Sequence, residues 1–448
     1  ENVFDIQQGV AIIIAVKKKT KKNQIAEIYK SNLWGKRKIK LEFLNQNSLS
    51  SVKWKKIQLT GPFYEFVNKN IVLYEEYKAG IKINKLFIKN SVGIVTARDN
   101  MSVQNDPHTM KLVVDDFATS EPEDLRARYN LGKDVRDWTV SEAKKDVINN
   151  LNKGTIIKID YRPFDTRYTF YTGQSRGFHC YPRKDTMQNM LSNNNFALYF
   201  SKQITNLGIV PAFISKSTVD AHCITDAVSI TYIASLYIYS EDGKQDLEQN
   251  QRHSNINHEL RKQLLMNIGE YEWVGDHENK ILQIVQVGNK KYVSPLDILD
   301  YVYAVLYSPK YRDTYKDFLK MDFPKVPPAK NKEQFWKLVK FGSKLRKLHL
   351  MEDQDLNTFL TIFSVSGTNI VEQIRFDEGK VWINNTQFFG NVSKESWDFH
   401  IGGYQPAQKW LKDRKGKTLH FEDIVHYQKI IKVQLETIRI MKGIDDVM

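Results

Sequence analysis

Between residues 155 and 240 the chain repeats one pattern, in which short runs of β-branched and aromatic residues are separated by Gly, Pro and Asn. The runs are TIIKIDYRPFD from Thr155, RYTFYTG from Arg167, FALYFSKQ from Phe196, GIVPAFIS from Gly208 and ITYIASLYIY from Ile230. The punctuating residues favour turns. The segment therefore predicts strands in a mostly antiparallel sheet. At 448 residues the chain is too long for that sheet alone, and two or three domains are expected.

Helical periodicity flanks the sheet. Glu121–Leu151 reads as helical, with Thr139 as an N-cap. Leu296–Leu319 is helical and aromatic-rich, and Pro324, Pro327 and Pro328 end it. Glu333–Leu350 is a basic amphipathic helix with Phe335, Leu338, Phe341, Leu345 and Leu348 on one side. Residues 370–389 read as two short strands. Residues 421–441 form a last helix, with Phe421, Ile424, Gln428, Ile431, Leu435 and Ile438 in a stripe. At the other end, Val3–Phe4 and Val10–Val16 read as buried strands joined by a turn at Gln7–Gly9, of the kind found inside an α/β sheet. Residues 241–280 are polar and read as a surface insertion. The fold class is thus α+β, in which terminal strands of an α/β sheet precede a β-rich domain with several helices. Boundaries fall near residues 90 and 330. The chain enters a strand at once, without an initiator Met, and so reads as a piece of a longer protein.

The charge narrows the function. Lys and Arg number 66 against 52 Asp and Glu, a formal charge of +14, which points to a polyanionic partner. The surplus is local. Residues 1–90 hold 18 basic and 7 acidic residues, and 310–350 hold 12 and 4. The lysine run Lys17–Lys22 is explained as well by a solvated turn. The longest apolar run, Val10–Val16, is too short to span a bilayer. Two cysteines, Cys180 and Cys223, give neither a disulfide scaffold nor a Cys-rich zinc module, and suit a reducing cytoplasm.

No phosphate-binding P-loop and no G-x-G-x-x-G cradle occurs. The Asn/Asp-Pro-Pro-aromatic loop that holds an adenine amine is absent; Asn193-Asn194-Asn195-Phe196 lacks both prolines. Pro122-Glu123-Asp124 with Glu142-Ala143-Lys144 matches a magnesium nuclease pattern on paper, but both stretches lie in helical sequence rather than on adjacent strands. Three clusters look like binding surfaces instead. Asp160–Arg183 carries Arg162, Arg167, Arg176 and Arg183, followed by Lys184, with Gly173 and Gly177 permitting close backbone approach. Trp397–Arg414 carries a Gly402-Gly403 turn presenting Tyr404 and Gln405, then Lys409, Lys412 and Arg414. The basic helix offers Lys337, Lys340 and Lys344. Guanidinium forks and ammonium groups suit guanine edges and phosphates, and a glutamine amide suits adenine.

At these clusters the chain resembles a known family. ENVFDIQQGVAI from Glu1, SVGIVTARD from Ser91, YRPFDTRYTFYTGQSRGFHCYPRKDTMQNML from Tyr161, LDILDYVYAVLYSPKYRDTYKDFLKMDFPKVPP from Leu296, WDFHIGGYQPAQKWLKDRKGKTL from Trp397 and HYQKIIKVQLETIRIM from His426 resemble the C-terminal region of Type ISP restriction–modification enzymes. The family joins a nuclease, a helicase-like ATPase, a coupler, an adenine-N6 methyltransferase and a target recognition domain in one polypeptide. The resemblance implies that residues 1–90 complete the methyltransferase, and that 91–330 and 331–448 form the recognition domain. It implies duplex DNA as partner, together with the upstream domains of the same polypeptide, and no membrane. It implies no catalysis by this part. S-adenosylmethionine, ATP and magnesium would belong upstream. A docking module of the same enzyme is the alternative, and an autonomous magnesium nuclease a more remote one.

Overall fold

The computed structural model describes residues 1–4, 10–17, 26–59, 66, 70–191, 194–203, 210–225, 229–239, 252–275 and 292–448. These form two compact units, 1–76 and 77–448. The division lies upstream of the expected boundary near residue 90.

The first unit pairs Ile28–Lys30 antiparallel with Lys55–Ile57 and carries a helix, Arg37–Gln46, that buries none of its residues. Here the sequence expectation is corrected. Val10–Val16 is not a buried strand: Ile12, Ile13 and Ile14 are 65, 70 and 61% exposed. Val3–Phe4 is a bend. A strand needs a neighbour to satisfy its N–H and C=O groups, and none pairs with this run among the described residues. The turn at Gln7–Gly9 and Lys18–Lys22 lie outside the described residues.

In the second unit the main elements are β1 (Ser91–Val92), α1 (Pro107–Thr119), α2 (Pro122–Arg128), α3 (Val140–Asn150), β2 (Thr155–Arg162), β3 (Asp165–Tyr171), β4 (Ala197–Ser201), β5 (Ala212–Ser215), β6 (Thr218–Val219), β7 (Thr231–Ser235), α4 (Pro295–Tyr307), α5 (Lys332–His349), β8 (Arg375–Asp377), β9 (Lys380–Trp382), β10 (Phe388–Phe389), α6 (Pro406–Lys412) and α7 (Phe421–Asp445). The predicted antiparallel sheet is present as two. One has the order β1-β7-β4-β5, antiparallel throughout. The other has the order β3-β2-β6, with β2 antiparallel to β3 and parallel to β6. Residues 370–389 hold three strands rather than two, β8-β9-β10.

Local sequence explains the ends of several helices. The Thr139 hydroxyl accepts a hydrogen bond from the Glu142 N–H at 3.2 Å and starts α3. A capping box joins Ser294 and Asp297 at the start of α4. The polar stretch expected as a surface insertion is partly interior. Arg252–Ser254 pairs with Tyr237–Tyr239, and Ile256, Leu264 and Leu265 are buried. Asn255 is fully buried, and its amide donates to the Lys89 and Ser235 carbonyls at 2.7 Å each while its oxygen accepts from Lys89 N–H at 2.7 Å. One polar side chain thus supplies backbone partners that strand pairing does not. Residues 241–251 and 276–280 of that stretch lie outside the described residues.

One core joins β2 and the β4–β7 sheet to α6 and α7, and a second packs α1, α2 and α3 around Phe117, Trp138 and Phe178. α4 and α5 approach backbone to backbone at Gly342. A Cβ on Gly342 would stand 1.8 Å from the Asp300 carbonyl oxygen. One turn on, Arg346 grips the Asp300 carboxylate at 2.7 and 3.0 Å, with both side chains buried. Helix propensity alone favours Gly342→Ala by about 1 kcal/mol. The close approach reverses the sign. Forcing the helices apart costs about 1–3 kcal/mol, so urea denaturation should give a lower midpoint for Gly342→Ala than for the parent chain.

Candidate nucleic-acid interface

The β2–β3 hairpin builds the centre of the site. A β-bulge between Asp160 and Arg162 and a left-handed Phe164 (φ +62°) turn the chain so that Tyr161, Arg162 and Arg167 meet. The Arg162 and Arg167 guanidinium carbons lie 3.9 and 4.0 Å from the Tyr161 ring centroid. Arg162 also lies 5.1 Å from the Tyr404 ring, and Lys409 lies 6.0 Å from the same ring. Cations and aromatic rings therefore alternate in a ladder running from Arg167 to Lys409, which joins the hairpin to the C-terminal segment. Tyr161 donates its hydroxyl hydrogen to Asp99 at 2.9 Å.

The arginines here are met by carboxylates, one of them shared. Arg162 donates to Asp220 at 3.1 Å. Arg167 donates to Asp165 at 2.7 Å, and Arg414 donates to the other oxygen of Asp165 at 3.1 Å. Arg414 stacks on Trp410 at 3.6 Å. Asp413 takes Lys409 and lies 3.5 Å from Arg167. Burial pushes the Asp165 carboxyl up, but the two guanidiniums outweigh it and hold the group below the usual range. Burial wins at Asp220, whose carboxyl is pushed up to about 6 although Arg162 pulls the other way.

The Gly402-Gly403 turn seats the other side of the ladder. Gly402 N–H donates to the Val210 carbonyl and Gly403 N–H to the Ile224 carbonyl, both at 2.9 Å. A Cβ on Gly402 would stand 1.6 Å from the Ile224 oxygen, and its φ is +57°. Tyr404 follows the turn half-buried, and Gln405, also half-buried, is the residue before α6, with no side-chain capping bond.

The loop after β3 is held from beneath by a residue that sequence reasoning missed. The buried Asp146 carboxylate of α3 accepts from Phe178 N–H, the Thr172 hydroxyl and the Asn150 amide, each at 2.8 Å. Its Oδ2 lies 2.2 Å from where a Gly177 Cβ would be. Gly177 is therefore required by Asp146, a different reason from the close approach of a ligand expected from sequence. The loop carries Gln174, Ser175 and Arg176 at its exposed tip. Arg176 is 64% exposed and touches Asp137 at 3.3 Å. Arg183 lies 5.0 Å from the Tyr181 ring, and Lys184 is exposed.

The basic face of α5 stands apart from the ladder in its bonding. Lys337 pairs with Glu333 at 2.7 Å, Lys344 with Asp353 and Asp355 at 2.7 and 3.0 Å, and Lys340 is exposed. Lys412 is exposed on α6. The structure thus gathers Arg162, Arg167, Tyr404, Lys409 and Arg414 into one network. It leaves Arg176, Lys184, Lys337, Lys340 and Lys412 at the surface. The partner carboxylates Asp165, Asp220 and Asp413 had no signal beyond their presence among the basic residues. Glu123, Asp124, Glu142 and Lys144 lie on α2 and α3, where Glu123 pairs with Arg126, Lys144 with Glu121 and Glu142 with Lys145. Among the described residues no three His, Cys, Asp or Glu side chains converge as metal ligands. These residues do not fit a magnesium site.

A family profile described as the Type ISP C-terminal specificity domain matches residues 85–443. Three solved structures share the fold over 91% of this chain. They are an ATP-dependent Type ISP restriction–modification enzyme, LlaBIII, bound to DNA (TM-score 0.63, 18% identity); a nuclease-deletion mutant of the Type ISP enzyme LlaGI in complex with a DNA substrate mimic (0.60, 18%); and a DrdV–DNA complex (0.60, 16%). This chain spans 27, 38 and 42% of their respective lengths. No curated protein matches it.

The Asp220 shift fixes a pH dependence. Its folded carboxyl, at about 6, holds a proton that the unfolded one, near 3.8, has already released. Its contribution to stability is therefore full below pH 4 and is lost as the pH rises to 6, by on the order of 2–3 kcal/mol. Asp220→Asn should flatten that part of the stability profile, read from urea midpoints at pH 4.5 and pH 7.

Proposed function

Because the chain belongs to the Type ISP C-terminal specificity domain family, we propose that residues 77–448 read a short sequence in duplex DNA for a restriction–modification enzyme. The observation that carries this reading is the division of the basic residues into two sets. Arg162, Arg167 and Arg414 are 12, 15 and 18% exposed and sit on carboxylates. They hold a frame. Arg176 and Gln405 stand on segments fixed by that frame and by Asp146, and they reach base edges. Arg183, Lys184, Lys337, Lys340 and Lys412 neutralise phosphates. Lys344 and Lys409 contribute less, since DNA has to compete with their carboxylates. Tyr404 completes the ladder and orients Gln405.

The parent polypeptide, in this reading, is a Type ISP endonuclease and adenine-N6 methyltransferase. S-adenosylmethionine, ATP and magnesium chemistry is assigned to its other domains, and cytoplasmic DNA is its substrate. No helix among the described residues is long and apolar enough to cross a membrane. A docking role for the same module is favoured by one observation: Phe359, Leu360 and Ile362 are 39, 39 and 54% exposed within four residues of sequence. Gripping other domains of the polypeptide and reading DNA are compatible tasks.

Selection from a randomised duplex library at about 150 mM salt should enrich one short motif, because non-specific binding is weak there. Arg176→Ala should relax the preference at one position and cost about 1–3 kcal/mol on the preferred sequence. Gly177→Ala should mimic it by displacing the loop from Asp146. Retention without any enrichment would contradict base reading.

A further inference from the structure

The turn after α6 runs Lys412-Asp413-Arg414-Lys415-Gly416-Lys417 before α7 begins. Its backbone is pinned on both sides. Gly416 N–H donates to the Val371 carbonyl at 2.7 Å, Val371 N–H to the Lys417 carbonyl at 3.0 Å, and Leu419 N–H to the Asn369 carbonyl at 2.9 Å. Lys417 N–H closes the turn on the Arg414 carbonyl at 2.9 Å. Gly416 takes φ +79°, and a Cβ there would meet no atom within 4 Å, so the tip faces open space.

The carboxylates around this turn are already engaged. Asp165 holds Arg167 and Arg414, Asp413 holds Lys409 and Arg167, and Asp423 lies 3.9 Å from Arg414. Glu422, in the first turn of α7, is exposed. No carboxylate among the described residues forms an ion pair with Lys412, Lys415 or Lys417, and all three are exposed. Partial burial, with repulsion from Arg167 and Arg414, holds the Lys417 ammonium below its usual value, although Asp165 and Asp413 pull it up. A cation kept near two guanidiniums on a fixed backbone is relieved by a bound anion, and a fixed backbone loses little entropy on binding.

We propose that Lys412, Lys415 and Lys417 form a preorganised clamp for backbone phosphates of duplex DNA. The proposal rests on the DNA reading above and adds Lys415 and Lys417 to it. The clamp carries no sequence information itself. It adds backbone affinity beside the segment that carries Gln405, at the other end of α6.

The test is fluorescence anisotropy of the full chain with the selected duplex and with a mixed-sequence duplex across a salt series. Lys412, Lys415 and Lys417 are changed together to Ala in one variant and to Arg in another. The Ala variant should bind both duplexes more weakly. Its log K against log salt slope should fall by roughly 0.9 for each phosphate that is no longer neutralised, with the enriched motif unchanged. The Arg variant should keep the parent slope. Circular dichroism melts matching the parent exclude misfolding. An Ala variant with the parent's affinity and slope overturns the clamp, as does one that loses the motif while keeping the slope. A parent chain with no salt-dependent duplex binding overturns the DNA reading itself, before the variants are compared.

Discussion

A carboxylate removed from water has to be met by cations, and Asp165 is met by two. Arg167 comes from two residues along the same strand; Arg414 comes from 249 residues away. With Asp165 3% exposed, breaking either ion pair leaves a buried charge half-compensated, a loss on the order of 3–5 kcal/mol. That one residue therefore ties the β2–β3 hairpin to the segment between α6 and α7. The Tyr161–Arg162–Tyr404 ladder, the Gly402 turn against Ile224 and the pinned Lys415–Lys417 turn all lie along this seam. A frame of this kind suits a surface that must hold several weak interactions in register at once.

The strands, the cap at Thr139, the basic helix and the turn at Gly402 are legible in the sequence because each depends on near neighbours. A β-branched run between turn residues predicts a strand wherever its partner lies. The fate of an arginine is not local. Arg162, Arg167, Arg176 and Arg183 look alike in one stretch of sequence. Only the fold brings Asp220 to the first and Arg414 to the partner of the second, while Arg176 is carried out on a loop tip. Composition gives the number of cations; it does not say which carboxylates arrive to meet them. Val10–Val16 fails in the same way, since an apolar run states a preference for burial but cannot supply the neighbouring strand. Asn255 shows the reverse error, where a polar residue in a polar stretch turns inward because two carbonyls and one N–H are waiting for it. Glycine is legible as a requirement and illegible as to cause: Gly177 makes room for Asp146, not for a ligand.

The separation between a buried frame and exposed side chains also bears on how such a surface can change. Residues of the ladder are coupled, so replacing one disturbs its carboxylate, its ring and the segment beyond. Residues such as Arg176 and the lysines of the Gly416 turn are exposed, and little of the interior depends on them. Substitutions there leave the core almost untouched, since surface changes away from packed features are usually within about 0.5 kcal/mol. A module built this way can exchange its exposed side chains while keeping the strands, glycines and buried carboxylates that place them. Identity of 16–18% to enzymes sharing the fold is compatible with that arrangement. The frame has to satisfy geometry, whereas the exposed side chains are under no such internal constraint.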